Sequence, residues 1–255
     1  MECFYTYDER IIVMKWGTFG IVHLTTLLLS VIMLVILYLL IKNKSEKTQR
    51  IVLFILSLSG ISAIIFNLVT WNSPLEYLPF HMCSINAILL PIAIATKNKT
   101  IGNLLLVWCL GALLALVVNF AQSDYEIFSS TFFFYYFPHT FEFGIPILLF
   151  VLGIFHFKPK YILTTVGITA VIYTAIHFIN VWLNQYCIDN NILDYAGNVI
   201  QVNYMYSIKP ENPVLDLFWS WIPHPFWYML PGVVIVAIYE LGLLGAWYIK
   251  HHKSK

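Results

Sequence analysis

Charged residues are scarce in this sequence: only 11% of its 255 residues are Lys, Arg, Asp or Glu, and the formal net charge is +1. This scarcity argues against a nucleic-acid partner and an acidic tail, because both require a strong excess of charge of one sign. Cysteine is also rare, with four residues and no CxxC pair, so neither a zinc site nor a disulfide scaffold is indicated. We therefore expect no nucleic-acid partner, no cofactor and no bound metal.

Apolar residues, in contrast, make up 60% of the chain and occur in long uninterrupted runs. A transmembrane helix needs roughly 20 such residues to cross about 30 Å of hydrocarbon. Strands of membrane β-barrels alternate in polarity over about ten residues, a pattern these runs lack. The sequence therefore predicts an all-α, polytopic membrane protein with a single transmembrane domain over residues 1–255. The predicted spans are 17–41, 50–71, 77–96, 101–121, 133–156, 161–185 and 226–249, with residues 186–224 as an extracytoplasmic loop.

The orientation of these spans follows from their flanking positive charges. Eleven of the 14 Lys and Arg residues lie in the loops of one side and at the C-terminus, whereas Arg10, Lys15 and Lys209 lie on the other side. Lys and Arg are enriched in cytoplasmic loops. We therefore expect an external N-terminus and an internal C-terminus.

The sixth predicted span has a stripe of polar side chains. Tyr173, His177, Asn180 and Asn184 recur at i, i+4, i+7 and i+11, which places them on one face of a helix. Polar side chains inside a membrane face protein or water, not lipid. The stripe is therefore predicted to face protein or water, near the outer end of the span.

Two further spans have polar residues at similar depth. His139 and Glu142 are i, i+3 neighbours, close enough for the carboxylate to orient the imidazole. Cys83 and Asn86 share a face of the third span, and helical spacing directs His81 away from that face. These residues are predicted to converge in one polar layer, with Trp227 and Tyr228 part of an aromatic belt at the outer interface.

Several short strings of the sequence are familiar. LPFHMCS at residues 78–84, FPH at 137–139, and NYMYSIKP at 203–210, followed by VLDLFW and PHPFWY, resemble the YwaF-like family of bacterial integral membrane proteins. That family is similar to a vertebrate transmembrane phospholipid acyltransferase and, more remotely, to androgen-induced, ADTRP-type lipid ester hydrolases. This sequence departs from the family around His139, where serine, histidine and glycine are more usual.

The resemblance implies acyl chemistry with Cys83 as nucleophile and His139 as its base. A thiol at the start of a helix suits this role, because the helix dipole favours the thiolate there. Glu142 is then predicted to orient His139, with His81 as a further supporting residue. Candidate hydrogen-bond donors to the oxyanion are Asn86, His177 and Asn180. The shared strings also imply substrate or loop roles for Asn203, Tyr204, Tyr206, Trp227 and Tyr228.

The first hypothesis is therefore a lipid acyltransferase in a cell membrane, with the bacterial plasma membrane indicated by the resemblance. A membrane phospholipid would donate the acyl chain, and a lysolipid, glycolipid or lipoprotein would accept it. The alternatives are a binding or transport protein for a small solute and a lipid ester hydrolase that uses the same residues with water. A metal site built from His81, His139, His177 and Glu142 ranks below the thiol mechanism, because their spacing matches no HExxH-type motif.

Overall fold

The computed structural model describes residues 14–71, 73–194 and 196–252. Within these ranges the chain forms α-helices joined by short 3-10 turns, with two isolated bridges and no β-strand. The all-α prediction is therefore confirmed. The helices are α1 (Ile21–Ile41), α2 (Glu46–Thr70), α3 (Met82–Thr96), α4 (Lys99–Val117), α5 (Ser130–Val151), α6 (Ile162–Asp189), α7 (Pro213–Trp221) and α8 (Leu230–His252).

Each of the seven predicted spans overlaps one α-helix, namely α1 to α6 and α8. Among the described residues, five segments are long and apolar enough to cross a membrane: α1, α2, α4, Pro159–Asp189 and Trp227–Lys250. The chain is thus a membrane protein. α3 has 15 residues and spans only about 22 Å at 1.5 Å per residue.

α5 lies at the centre of the bundle, where it packs against α2, α3 and α4. Its 22 residues include Pro138, Pro146 and a buried carboxylic acid, so its composition is less apolar than that of a helix surrounded by lipid. Neighbouring helices surround these residues and keep them away from lipid. The polar side chains of His139 and Glu142 therefore project from an interior helix.

At two of the predicted boundaries the helices begin or end at other residues. The helix of span 77–96 begins only at Met82, because His81 has extended backbone angles (φ −73°, ψ 152°) and forms the N-cap. The predicted loop 186–224 also contains helical structure: α6 continues to Asp189, supported by a 2.8 Å bond from Gln185 Nε2, and α7 follows. Asn212 accepts hydrogen bonds from the first-turn amides of α7, a common way to start a helix.

The opposite end of the bundle is tied together by Arg50 in the first turns of α2. Its guanidinium group donates to the carbonyl oxygens of Ile94 (2.6 and 2.9 Å) and Ala95 (2.7 Å) in the last turn of α3. An ion pair joins Lys97 to Glu46 at the same end. Cationic groups stabilise the carbonyl end of a helix, so these contacts set the position of α3 against α2.

Candidate functional site

Cys83 occupies the first turn of α3. The first amides of a helix have no partner inside the helix, and the His81 side chain does not cap them. The backbone amides of Cys83 and Ser84 and the Ser84 side chain instead act on the Cys83 sulfur. Cys83 is half-buried, whereas Cys109 and Cys187 are buried. The first turn of α3 therefore presents a half-buried thiol beside backbone N–H groups.

Tyr135, one turn earlier on α5, fixes the orientation of the His139 ring. Its Nδ1 lies 2.7 Å from the Tyr135 carbonyl oxygen, and the two rings stack with centroids 4.2 Å apart. Because a carbonyl oxygen can only accept, Nδ1 carries the ring proton and Nε2 keeps its lone pair. Tyr135 in turn interacts electrostatically with Cys83. The Tyr135 side chain is therefore a common neighbour of His139 and Cys83. No hydrogen bond in the described ranges joins His139 directly to Cys83.

Glu142 lies one turn beyond His139 on α5 and is only 4% exposed. Its Oε1 packs against α2, at 2.9 Å from the position that a Cβ on Gly60 would take. Its Oε2 is buried and, among the described residues, has no hydrogen-bond partner. The carboxyl group also interacts electrostatically with Cys83. α2 and α5 thus hold a buried acidic group near the thiol, with one oxygen available.

Asn86 lies three residues after Cys83 and is buried against α4. Its Nδ2 donates to the Trp108 carbonyl oxygen at 3.3 Å, and its Oδ1 has no partner among the described residues. Exchanging the amide oxygen and nitrogen would place Oδ1 against a carbonyl oxygen, so the Trp108 contact determines the orientation. One N–H of Nδ2 binds Trp108, so the predicted role of Asn86 as an oxyanion donor would use the second N–H of that amide.

The polar stripe of α6 faces the segment that follows this helix, which confirms that it points toward protein. Tyr173 Oη donates to the Phe226 carbonyl oxygen (3.0 Å), and Asn184 Nδ2 donates to the Val202 carbonyl oxygen (3.0 Å). Asn180 Nδ2 donates to the Tyr204 carbonyl oxygen (2.8 Å) and to Ser207 Oγ (2.9 Å). His177 Nδ1 also contacts Ser207 Oγ, at 3.1 Å. The Asn180 amide therefore has no free donor for an oxyanion. His177 likewise contacts Ser207, not the acyl site, and both residues anchor the outer segment.

This anchoring holds a strained turn, Tyr204–Tyr206, which we call the tyrosine turn. Met205 (φ 52°) and Tyr206 (φ 53°) are both left-handed, at a cost of about 1–2 kcal/mol per residue. The Asn203 side chain stabilises the turn by binding the main chain at residues 208 and 209. The rings of Tyr204 and Tyr206 each lie 5.5 Å from the His81 ring. This left-handed turn therefore places two tyrosines next to His81 at the start of α3.

The remaining aromatic candidates divide into two groups. The Tyr228 hydroxyl is in hydrogen-bond contact with the carbonyl oxygens of Tyr206 and Lys209, so this residue supports the tyrosine turn. Trp227 is 55% exposed and lies outside the site. Tyr206 interacts electrostatically with Cys83, and burial raises the pKa of Tyr206, so its hydroxyl stays protonated. Of the predicted loop residues, Tyr206 is the one that interacts with the thiol.

The position of His81 also differs from the prediction. Helical spacing predicted that His81 points away from Cys83. Because His81 precedes the first helical residue, helical spacing does not apply to it. Its Nδ1 accepts from the Met205 amide at 3.4 Å. His81 and Cys83 consequently share Tyr206 as a neighbour. Among the described residues, no three His, Cys, Asp or Glu side chains are arranged to hold a metal ion.

Sequence reasoning missed three contributors to the site. Tyr135 could have been found, because Tyr135, His139 and Glu142 follow an i, i+4, i+7 pattern on one helix face. Gly60 carries no such signal, since its importance comes from the carboxyl group packed against it. Ser84 acts on the Cys83 sulfur only because the helix begins at Met82.

These features define an all-α membrane protein with a cysteine, a histidine and a glutamate on two packed helices, next to a strained tyrosine turn. The chain belongs to the TMEM164 family, a transmembrane protein family, whose model matches residues 18–243. No curated protein matches the chain, and no solved structure matches it.

Proposed function

We propose that this protein is a membrane-embedded lipid acyltransferase that uses a thioester on Cys83. The observation that carries this proposal is the first turn of α3, where a half-buried thiol lies beside the backbone amides at the start of a helix and near Glu142. The strings around Cys83 and His139 resemble the YwaF-like family, which is similar to a transmembrane phospholipid acyltransferase, and this resemblance supports the same chemistry. A thioester suits group transfer because an alcohol or an amine can displace it.

His139 is the proposed base of the first half-reaction. Its Nδ1 is occupied by the Tyr135 carbonyl oxygen, so Nε2 is the atom that can take a proton. The thiol proton passes to Nε2 as sulfur attacks the acyl carbonyl carbon of a phospholipid. The ester C–O bond then breaks, and His139 returns the proton to the departing lysolipid oxygen. A side-chain movement of His139 toward Cys83 is part of this proposal.

The first-turn amides of α3 supply the electrostatic part of the reaction. The N–H groups of Cys83 and Ser84 lie beside the sulfur. When the sulfur attacks the phospholipid ester, negative charge develops on the carbonyl oxygen of that ester, close to these groups. Preorganised amides at such a position stabilise the oxyanion, and removal of one donor of this kind costs roughly 100-fold to 1,000-fold in rate. These amides take the role that was predicted for Asn86, His177 and Asn180, which bind Trp108, Ser207 and Tyr204 respectively.

The proposed membrane arrangement has seven spans in one transmembrane domain, with the N-terminus outside and the C-terminus inside. The seven helices at the predicted positions and the one-sided distribution of Lys and Arg support it. In this orientation the start of α3 and the tyrosine turn lie toward the outer leaflet. The donor is then an outer-leaflet phospholipid of, we propose, the bacterial plasma membrane, and a lysolipid, glycolipid or lipoprotein accepts the chain.

Labelled phospholipid tests this proposal directly. Purified protein is reconstituted in vesicles whose phospholipid carries a radiolabelled acyl chain, and the label on the protein is measured after delipidation. We expect a hydroxylamine-sensitive adduct on the wild type and none on Cys83→Ala. Cys109→Ala is the matched control, because Cys109 is buried and its sulfur donates to the Leu106 carbonyl oxygen at 3.1 Å.

The outcomes separate the alternatives. Absence of an adduct on the wild type, or equal labelling of wild type and Cys83→Ala, would refute the thioester mechanism. Release of free fatty acid instead of an acylated acceptor would identify a hydrolase with the same residues. Solute uptake that persists in Cys83→Ser would favour a transport protein.

A further inference from the structure

We propose that Glu142 is the base of the second half-reaction, in which a hydroxyl or amine acceptor takes the acyl chain from Cys83. This inference rests on the proposed acyltransferase function and assigns its acceptor step to a different residue from its donor step. It replaces the predicted role of Glu142 in orienting His139. The unpartnered Glu142 Oε2 carries the argument.

The position of the Glu142 carboxyl group is defined by two helices. Glu142 projects from α5, and its Oε1 lies at 2.9 Å from the Cβ position of Gly60 on α2. The group is only 4% exposed, and Oε2 has no hydrogen-bond partner among the described residues. A buried polar atom without a partner costs free energy, so it is kept where a ligand or a reaction step uses it.

The chemical character of the unsatisfied atoms indicates what is missing. Asn86 Oδ1 is also buried and unpartnered, and Asn86 lies on the same helix as Cys83. An amide oxygen can only accept a hydrogen bond, and an ionised carboxylate is likewise an acceptor. An acyl group brings acceptors and would leave these atoms unsatisfied. An alcohol or amine brings the donor that both atoms lack, so these atoms suit the acyl acceptor.

The proposed step balances without any further reactant. The acceptor O–H or N–H bond breaks and its proton moves to Glu142 Oε2, while the acceptor atom bonds to the thioester carbonyl carbon. The C–S bond then breaks, and Glu142 passes the proton to the Cys83 sulfur. The electrostatic interaction between Glu142 and Cys83 is consistent with this second transfer. The enzyme returns to its starting state, with His139 free for the next donor.

Glu142→Gln tests this assignment, because glutamine keeps the size of the side chain and loses the base. Vesicles of phosphatidylethanolamine and phosphatidylglycerol with radiolabelled acyl chains load the protein, and a lysophospholipid is then added as the hydroxyl acceptor. We expect normal adduct formation and decay of the adduct about 100-fold slower than in the wild type. Glu240→Gln is the matched control: Glu240 is a buried glutamate of α8 that accepts from Thr165 Oγ1 at 3.2 Å.

Each outcome decides the proposal. Accumulation of the adduct in Glu142→Gln, with wild-type kinetics in Glu240→Gln, supports it, and a purely structural effect would slow adduct formation as well. Equal adduct decay in Glu142→Gln and wild type overturns the inference and leaves the thioester mechanism intact. Loss of adduct formation in Glu142→Gln also overturns it, since Glu142 would then act in the first half-reaction. An unlabelled wild type refutes both proposals together.

Discussion

Substitution of Gly60 by alanine is the sharpest test of the packing around Glu142. The new Cβ would lie 2.6 Å from the Ala87 Cβ, 3.1 Å from the Ala87 Cα and 2.9 Å from Glu142 Oε1. Carbon atoms in ordinary contact are about 3.5–4.0 Å apart, so α2 and α3 must separate by about 1 Å. Overpacking of this kind costs about 1–3 kcal/mol, against a gain of about 1 kcal/mol from the better helix propensity of alanine.

We therefore expect Gly60→Ala to destabilise the protein by up to about 2 kcal/mol and to lower its apparent melting temperature in detergent by up to roughly 8 °C. Gly167→Ala in α6 is the matched control, since nothing lies within 4 Å of its Cβ position. The double variant Gly60→Ala with Ala87→Gly should recover part of the loss. A melting temperature for Gly60→Ala equal to that of Gly167→Ala would refute the packing described here.

Two further predictions concern accessibility and the outer segment. Cys83 should react with a small membrane-permeant maleimide faster than Cys109 and Cys187, because only Cys83 of these three is half-buried; similar modification of all three in peptide mass spectra would contradict this exposure. Asn180→Ala should cost about 1–3 kcal/mol, because it leaves buried main-chain groups unpaired, and should expose the outer segment to protease. The exposed Asn190→Ala should change stability by less than about 0.5 kcal/mol, and equal effects of the two variants in thermal unfolding would argue against the anchoring role.

The fold could be predicted from hydrophobic runs because a chain in lipid must satisfy its backbone groups within each helix. The predicted spans 17–41 and 50–71 match α1 and α2 within a few residues at each end. The start of α3 and the end of α6 differ from the predicted limits by four or five residues. Hydropathy indicates where an apolar stretch lies, but it does not locate the ends of a helix. Local hydrogen bonds decide those ends, such as the 2.8 Å bond from Gln185 to Asp189 that extends α6.

The candidate site was predictable where residues share one helix and not where they meet across helices. Helical periodicity correctly indicated that the α6 stripe faces protein, but its partners are main-chain atoms that no sequence pattern reveals. His81 was misplaced because the periodicity argument was applied ahead of the first helical residue. The contact of Glu142 with Gly60 depends on how α2 approaches α5, which is a property of the folded bundle.

The docking of the outer segment on α6 has a consequence for how this protein can change over time. Asn180 and Asn184 bind the main chain at residues 202 and 204, and Tyr173 binds it at 226. Main-chain atoms are present whatever the side chain, so mutation along the segment can alter its side chains without removing these bonds. The outer surface of the segment can therefore diverge at positions other than Ser207, whose side chain also binds α6.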